Sequence, residues 1–171
     1  MNLPNLLTLF RILLVPVLLL VYFSEFSYAD QVTCIIFIIA SVTDALDGYV
    51  ARKYHLVTNF GKICDPLADK LLVLSLLIAL TVKNVLPLWI VIVILARELT
   101  ITSLRAVAAG EGIIVAASSL GKIKTIFQML GIIMLLFHVP LAMVFIYTAV
   151  VLTIVSAIEY ILHLNKDISW M

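Results

Sequence analysis

Between Thr125 and Ile158 the chain reads TIFQMLGIIMLLFHVPLAMVFIYTAVVLTIVSAI, without one Asp, Glu, Lys or Arg. A helix that crosses a bilayer needs about 17 to 25 mostly apolar residues, so the run is too long for one crossing and suits two. His138 and Pro140 mark the break between them, since proline cannot continue a helical ladder. The solvent this stretch predicts is hydrocarbon.

Outward from it, the same pattern predicts helices over Pro4 to Phe23, Val32 to Arg52, Asp69 to Val82 with a little more on the far side, and Leu86 to Ala109; Ser119 to Phe137 and Leu141 to Leu162 complete the set. The expected fold is all-α, a polytopic six-transmembrane-helix bundle forming a single membrane domain over residues 1–171, with no repeat or linker. The 171 residues are 64% hydrophobic and 12% charged, far from the balance of a soluble domain. A formal net charge of +1 without a polybasic block offers nothing to a nucleic acid. The first apolar run has no basic residue before it and a poor cleavage signal at Ser27-Tyr28-Ala29, so it reads as mature helix. Cys34 and Cys64 fall about a membrane thickness apart and are expected as free thiols.

Short loops rich in Lys and Arg stay cytoplasmic. With the N-terminus inside, one side collects Arg52, Lys53, Lys62, Lys70, Arg105, Lys122, Lys124 and Lys166, and the other only Lys83. Both termini are therefore expected in the cytoplasm, in a multi-pass protein of the cell membrane. Trp89, Tyr22, Tyr28 and Tyr54 lie near span ends, where aromatic residues anchor a helix at the interface. Pro16 reads as a tolerated kink, and His55, His138 and His163 as polar residues of the interface. Glu159 has no partner legible in the sequence.

The chemistry is concentrated between Asp44 and Asp69. There the chain places Asp44, two residues, Asp47-Gly48, two residues, Ala51-Arg52, eight residues, Gly61, three residues, Asp65, three residues, Asp69. At about 100° per residue, Asp44 and Asp47 lie about 60° apart on one helix face, and Asp65 and Asp69 about 40° apart on another. One ionised side chain near the bilayer centre costs about 2.5 to 3.5 kcal/mol, so four together require compensating charge. Arg52 and Lys70 are too few to neutralise and organise them. Two hard divalent cations, Mg²⁺ or Mn²⁺, satisfy the requirement, and such a pair can clamp both oxygens of a phosphoryl displacement. Gly48 and Gly61 clear room for a ligand or for a neighbouring helix. Asp65-Pro66 predicts a helix start, with aspartate as cap and proline at the first helical position.

The pattern D-x2-D-G-x2-A-R-x8-G-x3-D-x3-D, met in full by Asp44 through Asp69, resembles the signature of the CDP-alcohol phosphotransferases, membrane enzymes of phospholipid synthesis. The resemblance implies that Asp44, Asp47, Asp65 and Asp69 hold two metal ions, with Asp69 also taking the proton from the acceptor hydroxyl. It implies that Asp44, Gly48, Arg52 and Gly61 surround the cytidine nucleotide.

A second polar cluster runs through Arg97-Glu98 to Arg105 and on to Gly121-Lys122-Ile123-Lys124-Thr125. Glu98 and Arg105, seven residues apart, fall on one helix face, where the acid would orient or neutralise the base. Arg97 lies deeper than a snorkelling residue prefers, which predicts a polar cavity. Basic groups suit an acceptor that carries phosphate, although Lys122 and Lys124 also serve as cytoplasmic anchors. Asn2-Leu3-Pro4-Asn5 with Thr8 and Arg11, Asp65-Pro66-Leu67-Ala68-Asp69-Lys70, Arg97-Glu98 and the Gly121 to Thr125 run are similar to the branch of that family formed by bacterial phosphatidylglycerophosphate synthases. The branch implies CDP-diacylglycerol and sn-glycerol 3-phosphate as substrates, Arg97, Arg105, Lys122 and Lys124 around the acceptor phosphate, contact with membrane lipid, and a homodimer. Thr8 and Arg11 either border the site or cap and snorkel. Two alternatives stay open: the same transfer to another acceptor such as inositol phosphate, serine or phosphatidylglycerol, and a divalent-cation transporter, which also needs intramembrane acids.

Overall fold

The computed structural model describes the backbone of residues 3–53, 59–110 and 119–167, and the side chains of residues 6–43, 67–110 and 119–164. Six α-helices follow one another: α1 (Leu3–Tyr22), α2 (Ala29–Lys53), α3 (Asn59–Val82), α4 (Leu88–Gly110), α5 (Ser119–Leu136) and α6 (Ala142–Asp167). No strand occurs among the described residues. The chain divides into two compact units, Met1–Val85 and Leu86–Met171.

In the first unit α1 packs on both α2 and α3. Thr8, Arg11, Leu18 and Tyr22 are its buried positions, and their spacing of three, seven and four residues draws one stripe along a 3.6-residue helix. Cys34, Phe37 and Ala40 of α2 and Leu72, Leu76 and Leu80 of α3 fill the same core. In the second unit α5 packs along α6, and α6 also packs on α4, where Ile101 and Ala108 meet Tyr160 and Leu164.

The outward faces are apolar. Leu13, Leu20, Ile92, Val151 and Leu162 are all more than half exposed, while Thr8, Arg11, Thr33, Lys124, Gln128, Thr153 and Ser156 are buried. Oil outside and polar groups inside is the arrangement a lipid solvent demands. Ser119–Leu136 and Ala142–Leu164 are long and apolar enough to cross a membrane, and Leu6–Tyr22 and Ala29–Thr43 are shorter apolar helical runs. Threonine hydroxyls inside these helices bond back to the preceding turn, Thr33 to the Ala29 carbonyl at 2.7 Å and Thr153 to that of Ala149 at 2.6 Å. Such bonds give these two buried hydroxyls an acceptor within their own helix.

Two helices end alike. Asn84 and His138 have positive φ, 59° and 55°. Val85 N–H donates to the Leu80 carbonyl and Asn84 N–H to that of Thr81; at the other site Val139 N–H donates to Met134 and His138 N–H to Leu135. Both are Schellman closures, which satisfy the last carbonyls of α3 and α5 and reverse the chain. Pro87 and Pro140 follow each within three residues and prevent the helix from resuming. The break expected at His138 is thus real, and the left-handed residue that makes it is the histidine itself.

Three expectations are corrected. The third helix begins at Asn59, so Asp65-Pro66 lies within it and does not cap it; local capping chemistry was outweighed by a helix already under way. Tyr22 is 1% exposed and is no interfacial anchor. Its ring meets Phe23 edge-on and carries the Lys83 ammonium 4.0 Å from its centre, with that lysine 3.6 Å from Asp30. Trp89 remains half exposed and stacks on Tyr147, and Tyr54 lies outside the described residues. The third correction concerns Glu98 and belongs to the site.

Candidate active site

α2 runs unbroken through Asp44 and Asp47, and α3 through Asp65 and Asp69. Each pair therefore holds the register of three or four residues that puts two positions on one face of a continuous helix. The side chains of Asp44, Asp47, Gly48, Arg52, Gly61 and Asp65 lie outside the described residues, as does that of Cys64. Asp69 is half-buried, directly after the fully buried Ala68.

Thr8 and Arg11 are each 1% exposed, which removes both surface capping and snorkelling from consideration. The Arg11 Nε donates to the Ala40 carbonyl at 3.3 Å. Ala40 stands one turn before Asp44 on α2, so α1 delivers a buried guanidinium to the backbone next to the aspartate segment.

In the second unit the expected basic residues separate into two groups. Arg97 and Lys124 converge on one acid: Arg97 Nη1 donates to Glu98 Oε1 at 3.1 Å, and Lys124 Nζ, from α5, donates to the same oxygen. Arg97 Nη2 donates to Ser156 Oγ of α6 at 3.1 Å. All three charged side chains are nearly enclosed, with exposures of 14%, 14% and 6% for Arg97, Glu98 and Lys124. Arg105 is not among them. Its guanidinium lies over the Tyr160 ring at 5.3 Å, a cation–π contact, and Lys122 is exposed. The expected pairing of Glu98 with Arg105 is thus replaced: a seven-residue spacing brings two residues to one face, but Lys124 reaches the carboxylate from another helix.

Among the described residues in contact here, two cations share the Glu98 carboxylate, one positive charge more than that acid balances, and the Arg97 Nε is buried without a hydrogen-bond partner. An anion would suit such a site chemically, since it would supply both negative charge and an acceptor for the Arg97 Nε. Sequence reading missed Ser156 and Gln128, which sit in the charge-free run and are buried. Their only signal was polarity in apolar surroundings. Glu159, which had no legible partner, keeps Oε2 buried and without one.

A family model described as CDP-alcohol phosphatidyltransferase matches residues 1–155. The chain is 46% identical over 179 aligned positions to the CDP-diacylglycerol--glycerol-3-phosphate 3-phosphatidyltransferase of Bacillus subtilis (strain 168), with 93% of each chain covered. It is 36% identical over 177 positions to the protein of that name from Salmonella choleraesuis (strain SC-B67), covering 98% of this chain and 97% of the relative. A probable phosphatidylglycerophosphate synthase of Mycobacterium tuberculosis (strain ATCC 25618 / H37Rv) is 40% identical over 175 positions, covering 98% and 83%.

Proposed function

We propose that this chain, which belongs to the CDP-alcohol phosphatidyltransferase family, transfers the phosphatidyl group of CDP-diacylglycerol to sn-glycerol 3-phosphate, giving phosphatidylglycerol phosphate and CMP. The names of relatives 36% to 46% identical over most of their length support the reaction. The observation that supports the choice of acceptor is the nearly enclosed set Arg97, Glu98 and Lys124, where among the described residues two cations share one carboxylate. A neutral acceptor would add no negative charge there.

In the reaction, the free primary hydroxyl of the acceptor attacks the phosphorus that bears diacylglycerol. A new P–O bond forms as the P–O bond to CMP breaks, and the hydroxyl proton passes to the Asp69 carboxylate, the positioned base. Arg97 and Lys124 hold the acceptor phosphate, with Lys122 and Arg105 adding positive charge on the same two helices. Arg52, Gly48 and Gly61 serve the nucleotide. The paired helical registers of Asp44 with Asp47 and Asp65 with Asp69 fit a carboxylate-lined metal centre. Mg²⁺ or Mn²⁺ bound there would neutralise the pyrophosphate and the departing CMP. Thr8 and Arg11 support α2 from inside the first unit.

The remaining expectations belong to the same proposal: six spans, both termini and the site on the cytoplasmic side of the cell membrane, acyl chains in the bilayer, and a homodimer. The deciding experiment uses purified full-length protein in detergent with CDP-diacylglycerol. CMP release should depend on glycerol 3-phosphate and should be absent with inositol or serine. Release that proceeds equally with a neutral acceptor would reject the reading.

A further inference from the structure

We propose that Gln128 is a specificity-determining residue that accepts a hydrogen bond from the secondary hydroxyl of the acceptor while Arg97 and Lys124 hold its phosphate. The inference rests on the acceptor reading above and extends it to the part of the molecule that does not react. Gln128 is 4% exposed, and its Oε1 is buried with no hydrogen-bond partner. An amide in that condition is unfavourable in any interior, and more so where the surroundings are hydrocarbon. A ligand hydroxyl donating to Oε1 would complete it.

Its position narrows the ligand. Gln128 follows Lys124 by four residues on α5, so the two share a face and stand about 6 Å apart along the axis. Gly131 lies against Ile146 of α6, and two turns back along this helix hairpin the turn of α6 facing Lys124 carries Thr153 and Ser156. Neither hydroxyl is free to serve the amide. Thr153 donates to the Ala149 carbonyl, and Ser156 receives Arg97 and donates to the Thr153 carbonyl. The buried set thus offers unpaired donor capacity at Arg97 Nε, two cations on one carboxylate, and one turn deeper an unpaired acceptor at Gln128. Its complement is an anion joined by a short chain to a hydroxyl group. In a three-carbon phosphomonoester the primary hydroxyl is consumed by the transfer, and the secondary hydroxyl remains for recognition.

The test compares glycerol 3-phosphate with propane-1,3-diol monophosphate, which keeps the phosphate and the reacting hydroxyl but lacks the secondary one. Full-length protein in detergent is assayed with CDP-diacylglycerol as wild type, Gln128→Leu and the near-isosteric Gln128→Met. Wild type should favour glycerol 3-phosphate by about ten-fold in kcat/KM, the loss expected for one hydrogen bond. Both variants should lose about that factor with glycerol 3-phosphate, stay within about two-fold of wild type with the analogue, and keep the KM for CDP-diacylglycerol. Because the Gln128 Oε1 is unpaired in the free protein, neither variant should melt below wild type; a merely structural glutamine would lower Tm and weaken both acceptors alike. Discrimination undiminished in the variants, or equal losses with both acceptors, overturns the role of Gln128 alone. Wild-type protein that releases CMP with neither acceptor overturns the acceptor reading itself.

Discussion

Lys124 on α5 donates to the carboxylate of Glu98 on α4, twenty-six residues earlier in the chain. The same oxygen receives Arg97, so a single acid keeps two enclosed cations from facing one another. Removing one member of a buried pair leaves an uncompensated charge and typically costs about 3 to 5 kcal/mol. Glu98→Gln is therefore expected to destabilise the protein by about 3 kcal/mol or more, read as a drop in Tm in detergent. The double variant Glu98→Gln with Lys124→Met should recover most of the loss. A Glu98→Gln variant that melts with wild type would show that the pairing contributes no stability.

Asp30 and Lys83 make the contrasting case. They are 3.6 Å apart and 26% and 34% exposed, and the lysine also rests on the Tyr22 ring. Exposed pairs contribute about 0.2 to 1 kcal/mol. Asp30→Asn should cost less than about 1 kcal/mol and weaken further in its effect as salt is raised, whereas the Glu98 variant should respond little to salt.

Gly131 lets α5 come close to α6 at Ile146. A Cβ there would stand 2.6 Å from Ile146 Cδ1, 2.9 Å from its Cγ1 and 3.3 Å from its backbone nitrogen. Gly131→Ala should destabilise by about 1 to 3 kcal/mol through overpacking. Ile146→Val removes the nearest atom, so the double variant should lose less than the two singles added together, a coupling that chemical or thermal unfolding in detergent can measure.

The proposed metal centre predicts that exhaustive chelation stops CMP release and that Mg²⁺ or Mn²⁺ restores it. Asp44→Asn and Asp69→Asn should each lower kcat by about a hundredfold or more, since each removes a carboxylate that would hold a metal ion, and such an ion contributes several kcal/mol of stabilisation to the transferred phosphoryl group. Retained turnover after chelation would remove the metals from the reaction.

Much of this molecule was legible one residue at a time. The break at His138 and Pro140 could be read because helix termination is local: proline withdraws a donor wherever it stands, and a Schellman closure needs only the turn beside it. Arg97, expected in polar surroundings, is nearly enclosed and bonded to Glu98 and Ser156. The start of α3 could not be read that way, because Asp65-Pro66 is a good cap only where no helix precedes it, and α3 is already formed from Asn59. Tyr22 looked like an interfacial ring by its place in the chain, yet the turn after α3 lays Lys83 over it, and Asp30 of α2 pairs with that lysine.

Composition and spacing were thus enough to give six helices, the paired registers of the four aspartates and the kinship of the chain, for hydropathy and helical periodicity are properties of neighbours in sequence. Which cation meets Glu98, that Arg11 turns inward to Ala40, and that the Gln128 Oε1 is left without a partner were settled by packing alone. Charges and amides in a nonpolar interior are governed by what lies within about 3 Å, and that company is assembled from helices distant along the chain.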